Sequence, residues 1–224
     1  MQDELLSIAK KAVDAGAAAG VQCEAFVQKA RHTSISVEGG NVTFGSMDGD
    51  YGIGLRVIKD RRTGYAYCSD ATIDFGLKQA IAATRFGKPG DYAFHGDKDY
   101  AGARSLFDNR IASLVPEDGI SLARDMMEGA SCDKRAFPAR GGIGFGTVAM
   151  AVANSNGVAA YDEGTMVSGS IMSLIKESGM VANGSESDMS RFLDINFEKI
   201  GNTATERAAS QLNQKGIETA PMTV

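Results

Sequence analysis

Histidine is nearly absent from this chain: 224 residues contain two histidines, three cysteines and four prolines. The shortage bears first on metal chemistry. A zinc hydrolase gathers imidazoles and carboxylates on one ion, commonly as His-Glu-x-x-His on one helical face. His32 and His95 are 63 positions apart, and neither has a partner four residues away. His32, beside an alternating stretch, reads as a solvated or locally hydrogen-bonded residue, and His95 as a surface residue of a Gly/Asp-rich loop. The thiols Cys23, Cys68 and Cys132 are odd in number and widely spaced. They provide no disulfide framework and no Cys-x-x-Cys pair, as expected of reduced thiols in a cytoplasmic protein.

Other absences narrow the function further. No apolar run approaches the roughly 20 residues of a membrane helix. The start, Met1-Gln2-Asp3-Glu4, is too polar for a signal peptide. Positive charge is not in excess: the net charge is −5, and the densest basic run, Lys59-Asp60-Arg61-Arg62, is interrupted by an acid. It reads as a strand end or turn. Nucleic-acid binding relies on a basic face that replaces condensed counterions, so no nucleic-acid partner is expected. Neither Gly-x-Ser-x-Gly nor the phosphate-binding Gly-x-x-x-x-Gly-Lys-Ser/Thr occurs. The run Gly141-Gly142-Ile143-Gly144-Phe145-Gly146 misplaces the third glycine of a dinucleotide fingerprint, and no helix follows it. Asp97 with Asp99, and Asp162 with Glu163, read as solvated faces or caps rather than an acid/base pair. No catalytic residue and no metal ligand is therefore assigned.

What is present is ordinary globular material, 43% hydrophobic and 23% charged, with 27 glycines dispersed through apolar runs. Such glycines mark bends, bulges and close backbone approach within strands. The ten methionines fall mostly on inward faces and read as core filler. Leu5, Leu6, Ile8, Ala9, Ala12 and Val13 follow helical spacing, which predicts a helix over 3–19 stopped by Gly20. From Val21 the period becomes two. It predicts about five strands in a meander, near 23–28, 33–38, 41–44, 51–58 and 65–68. Asp70 or Thr72 can cap a second helix over 73–86. Residues 87–115 lack a sustained period. The order then repeats: a helix over 117–130, strands near 136–154, 158–163, 165–177 and 179–188, and a helix over 197–215. Pro221 ends that helix, and Met222-Thr223-Val224 looks like the start of another strand, as if a further domain followed. The expected fold class is α+β, with two consecutive domains of antiparallel sheet packed with helices. They occupy 1–88 and 116–224, joined by a linker over 89–115.

Two stretches carry a resemblance. The first is Glu38-Gly39-Gly40, Gly45, Tyr51-Gly52-Ile53-Gly54-Leu55-Arg56-Val57 and Gly64-Tyr65-Ala66. The second is Asn154-Ser155-Asn156-Gly157, Tyr161, Thr165, Ser168 and Ser170. In order and separation they resemble the TldD/PmbA family, whose older name is modulator of DNA gyrase, and the early region is closer to PmbA (TldE) than to TldD. The resemblance implies a longer protein with a C-terminal metallopeptidase-type domain that this chain lacks. In TldD-type subunits that domain binds zinc through His-Glu-x-x-x-His and a later cysteine. TldE-type subunits lack the motif and pair with TldD as a peptidase for unfolded or flexible peptides. No cofactor is expected in this chain; zinc belongs to a TldD-type partner. The expected partners are a second copy or a TldD-type chain, and a peptide. The expected role is non-catalytic: chamber scaffold and subunit interface. Gly52, Gly54 and Arg56 are the candidate groove or fold motif, with Arg56 able to hold a carboxylate or to make a structural ion pair. Asn154, Asn156 and Gly157 are a candidate hairpin turn, Asn-Gly tolerating positive φ at both central positions. The alternatives are a self-sufficient peptidase using His32 and His95, and a DNA-associated regulator as the older family name suggests.

Overall fold

The computed structural model describes residues 1–96 and 106–212. Asp97, Asp99, the residues after Leu212 and the strand start expected at Met222–Val224 lie outside the described residues. The element order is α1 (Gln2–Ala18), β1 (Gln22–Glu38), β2 (Asn41–Lys59), β3 (Arg62–Cys68), α2 (Ile73–Ala83), α3 (Asn109–Ser113), α4 (Pro116–Gly129), β4 (Ala136–Asn154), β5 (Ala159–Glu177), β6 (Met180–Ser190) and α5 (Phe197–Gln211). The strands form one six-stranded sheet in the order β3-β2-β1-β4-β5-β6. The fold is α+β, with one shared sheet where the sequence suggested a sheet in each domain.

The five strands expected in the first region are three. β1 and β2 run unbroken for 17 and 19 residues. Burial alternates at both ends of β1 but lapses around Lys29–His32, and β2 is mostly exposed from Asn41 to Asp50. Backbone pairing continues where side-chain burial stops, so a period-two reading sees a gap. β5 likewise joins the two expected strands across Gly164.

Tight turns fold the strands back. Gly39-Gly40 (φ 59° and 73°), Asp60-Arg61 (51° and 59°) and Ser178-Gly179 (49° and 82°) are two-residue loops with both residues at positive φ. That is the hairpin turn whose twist matches the strands, and it aligns Lys59 with Arg62 and Glu177 with Met180. The basic run at Lys59–Arg62 is therefore such a turn.

By backbone proximity the chain forms two compact units. One comprises Met1–His32, Asp48–Asp108 and Gly146–Thr165; the other comprises Thr33–Met47, Asn109–Phe145 and Met166–Val224. The division expected at 1–88, 89–115 and 116–224 follows the order of elements along the chain. The compact units divide β1, β2, β4 and β5 along their length.

In the first unit, α1 presents Leu5, Ala9 and Ala12, and α2 presents Ile73, Leu77 and Ala80, to Ala25, Val27, Ile53, Leu55, Val57 and Ala151. Burying each Leu, Ile or Val here contributes about 1.5–3 kcal/mol. Thr72 precedes α2, but its hydroxyl accepts from Ser69 N–H (3.1 Å) rather than from the helix. In the second unit, Ile111, Met126, Phe197, Ile200 and Ala204 pack on Ile35, Ile143, Phe145, Val167 and Ile171. Pro116 opens α4, and Asn196 caps α5 by accepting from Lys199 N–H (2.9 Å). α4 and α5 cross where a Cβ on Gly129 would strike Glu198 O, and one on Gly201 would strike Met126 O. A buried hydroxyl pair locks the crossing: Thr205 donates to Ala130 O (2.8 Å) and lies 2.8 Å from Ser173 Oγ. The methionines are less interior than expected. Met126 is fully buried, while Met1, Met47, Met180 and Met189 are exposed.

Candidate functional site

The parts of the two stretches from Tyr51 to Ala66 and from Asn154 to Thr165 lie in the first unit. Register pairs Gly54 with Tyr67 and Arg56 with Tyr65, so these side chains share one face of the sheet. A Cβ on Gly52 would fall on the Tyr67 phenol, whose hydroxyl donates to Tyr51 O (3.1 Å). At Gly54 the nearest atom to such a Cβ is Phe26 O at 3.9 Å, an ordinary contact. Gly52 is therefore required by a close approach, and Gly54 is not.

Arg56 is held mainly by aromatic faces. Its guanidinium carbon lies 5.3 Å from the Phe94 ring centre and 5.9 Å from that of Tyr65. Its Nη1 stands 3.9 Å from Glu24 Oε1, beyond hydrogen-bond length. Its Nε is buried with no hydrogen-bond partner. The result is a cation fixed between rings with donor capacity left over.

Phe94 belongs to a strap with no regular structure, running from Gly87 to His95. At one end Gly90 N–H donates to Arg61 O (2.8 Å), and the Arg61 guanidinium bonds Asp91 (2.6 Å). At the other end Asn156 Nδ2 donates to Phe94 O (2.7 Å) and Asn154 Nδ2 to His95 O (3.1 Å). The Asn154–Gly157 turn is therefore a clamp as well as a hairpin. Its conformation also differs from the expected one. Gly157 alone has positive φ (93°), and its N–H donates to Asn154 O (3.2 Å). Asn154 Oδ1 accepts from Asn156 N–H (2.9 Å) and Val158 N–H (3.2 Å). Using its side chain on neighbouring backbone, Asn154 builds a three-residue loop ending in glycine rather than a two-residue turn. Ser155 ties the same loop to β1, its hydroxyl accepting from Cys23 N–H (2.8 Å).

Tyr161, Thr165 and Ser168 of the second stretch also bond within the protein. The Tyr161 hydroxyl donates to Glu163 (2.6 Å), and burial, then that carboxylate, push its phenol up to about 12. Thr165 Oγ1 accepts from Asp108 N–H (2.9 Å), and the Ser168 hydroxyl lies 3.4 Å from Gly144 O. Cys23 is buried, and desolvation, then Glu24, push its thiol up to about 11, the opposite of what a nucleophile needs. Outside this region, hydrogen bonds from Arg135 hold Asp133 down to about 2, an exposed ion pair at the start of β4.

Zinc finds no fitting donors among the described residues. His32 lies exposed within β1 and His95 exposed on the strap. No three His, Cys, Asp or Glu side chains gather where they could hold a metal ion, among the described residues. The strap with Phe94 is what sequence reasoning missed. Its anchors include the strap backbone atoms Gly90 N–H, Phe94 O and His95 O, which leave no signature in side-chain identity.

Comparison with known proteins agrees with the resemblance. A family model for the PmbA/TldA metallopeptidase domain 1 matches residues 23–84, and one for the PmbA/TldA metallopeptidase central domain matches 109–212. The uncharacterized protein MJ0231 of Methanocaldococcus jannaschii is 26% identical over 166 residues, covering 72% of this chain and 38% of its own length. Among solved structures, TM0727 of Thermotoga maritima, provisionally described as a modulator of a DNA gyrase, superposes with a TM-score of 0.86 at 19% identity over 96% of this chain and 50% of that one. TldE of Thermococcus kodakarensis gives 0.78 at 20% identity over 92% and 47%. This chain thus spans about half the length of these structures or less of the curated relative. Matched in order by the family's first and central domains, the chain belongs to the PmbA/TldD family.

Proposed function

We propose that this chain is the non-catalytic N-terminal part of a PmbA/TldE-like subunit in a TldD/TldE-type zinc metallopeptidase acting on unfolded or flexible peptides. It would supply chamber scaffold and subunit interface, with a TldD-type chain or a second copy as partner and zinc held by the TldD-type subunit. The observation that carries this reading is the pair of family matches, both to metallopeptidase domains. The fold shared with TldE supports it. Gly52 and Arg56 then belong to the scaffold: the first admits Tyr67, and the second is packed between Phe94 and Tyr65.

Zinc content and cleavage of an unfolded protein test the proposal, measured on this chain alone and mixed with a TldD-type subunit. The expected outcome is no bound zinc and no cleavage alone. Stoichiometric zinc with chelator-sensitive cleavage by this chain alone would overturn it. The modulator description of TM0727 supports a second reading, a regulatory binding protein without a peptidase role. Tight, salt-dependent DNA binding by this chain would favour that reading.

A further inference from the structure

β6 is the last strand of the sheet, and its outer side carries no further strand among the described residues. Such a strand offers a row of backbone donors and acceptors to any extended chain, and proteins usually blunt it with proline, lysine or a bulge. Met180–Ser190 contains no proline and no lysine, and Met180, Val181 and Met189 are exposed. By composition this is a sticky edge.

Three of the backbone groups along its second half are nevertheless occupied by side chains. Ser187 N–H donates to Glu186 Oε1 (2.9 Å), and Met189 N–H donates to Asp188 Oδ1 (2.8 Å). Arg207 Nη1 donates to Ser185 O (2.7 Å), while its Nη2 pairs with Glu186 Oε2 at 2.9 Å. In an antiparallel strand the N–H and C=O of one residue point to the same side, and the side alternates along the chain. All three occupied residues are odd-numbered, so the side chains cap one side of β6. α5 brings Arg207 there because Gly184 lets it lie close: a Cβ at Gly184 would stand 2.8 Å from Arg207 Cβ.

We infer that Glu186, Asp188 and Arg207 close the outer edge of β6 against strand addition, and that without them β6 pairs with the β6 of a second copy. Self-pairing is the favoured occupation for two reasons. The capping carboxylates that would repel a like-charged edge are the groups removed, and the exposed Met180, Val181 and Met189 would meet their own kind across a two-fold axis. The inference stands independently of the peptidase reading.

Sedimentation velocity over a concentration series tests it, with circular dichroism as the check on fold. The expected result is that Glu186→Ala/Asp188→Ala/Arg207→Ala associates at least about tenfold more tightly than the unsubstituted chain. Adding Ser187→Pro, which removes an outward N–H, should abolish the gain. Asp188→Ala alone, which leaves the Arg207–Glu186 pair in place, should give a smaller shift in the same direction if the triple variant folds poorly. A folded variant that associates no more tightly than the parent overturns the inference. So does weakening of the parent's own association by Ser187→Pro, because the edge would then already be in use.

Discussion

At the scale of single residues, the motif positions are engaged in holding the protein's own chain. Asn154, Asn156, Ser155 and Thr165 spend their polar groups on backbone amides and carbonyls far away in sequence. Arg56 is the exception with capacity to spare, because its Nε has no partner and Glu24 stands 3.9 Å away. Arg56→Ala should lower stability by about 1–3 kcal/mol through lost packing against Phe94 and Tyr65. Arg56→Lys should recover little, since an ammonium cannot stack as a planar guanidinium does. Thermal unfolding of both variants, alongside peptide and partner binding, separates the two roles of Arg56. Lost stability with binding intact marks a structural arginine; binding lost at unchanged stability marks a carboxylate anchor. The choice of arginine here was legible in the sequence. Its ring contact with Phe94 was not, because a 38-residue separation leaves no local pattern.

At the scale of elements, α2, α4 and α5 lie where glycine lets backbone meet backbone, a Cβ on Gly64 striking Ala80 O of α2. α4 and α5 touch through Gly129 and Gly201, with the Thr205–Ser173 hydroxyl pair beneath. Gly201→Ala should destabilise the protein by about 1–3 kcal/mol, although alanine is the better helix former by about 1 kcal/mol. Chemical denaturation measures this; a stabilised variant would mean that the helices can separate at no cost. Helix positions were readable from apolar spacing: the expected 3–19 is observed as Gln2–Ala18, and 117–130 as Pro116–Gly129. Strand lengths were not. A period-two pattern reports alternating burial, and β1, β2 and β5 pass through stretches where burial stops alternating while the hydrogen-bond ladder continues.

At the scale of the whole molecule, the buried thiols give folding a pH dependence. Cys23 is shifted from its ordinary 9.0 up to about 11, so the folded state keeps a proton that the unfolded chain releases. The associated stability is fully present below about pH 9 and is lost as pH rises through 11. Burial also raises Cys68, adding in the same direction. Unfolding followed from pH 8 to 11 should show this decline, and Cys23→Ala should make it shallower; an unchanged slope would assign the decline to other groups. By itself the sequence determined the α+β class, every helix but the short α3 within the expected linker, the turn at Lys59–Arg62 and the family, because those follow from local periodicity, turn chemistry and short motifs. Only the tertiary structure decided that six strands share one sheet, that its long strands serve two cores, and that the Asn154 turn clamps a strap over Arg56. Those depend on pairings between residues tens of positions apart, made largely through backbone atoms that every residue carries alike.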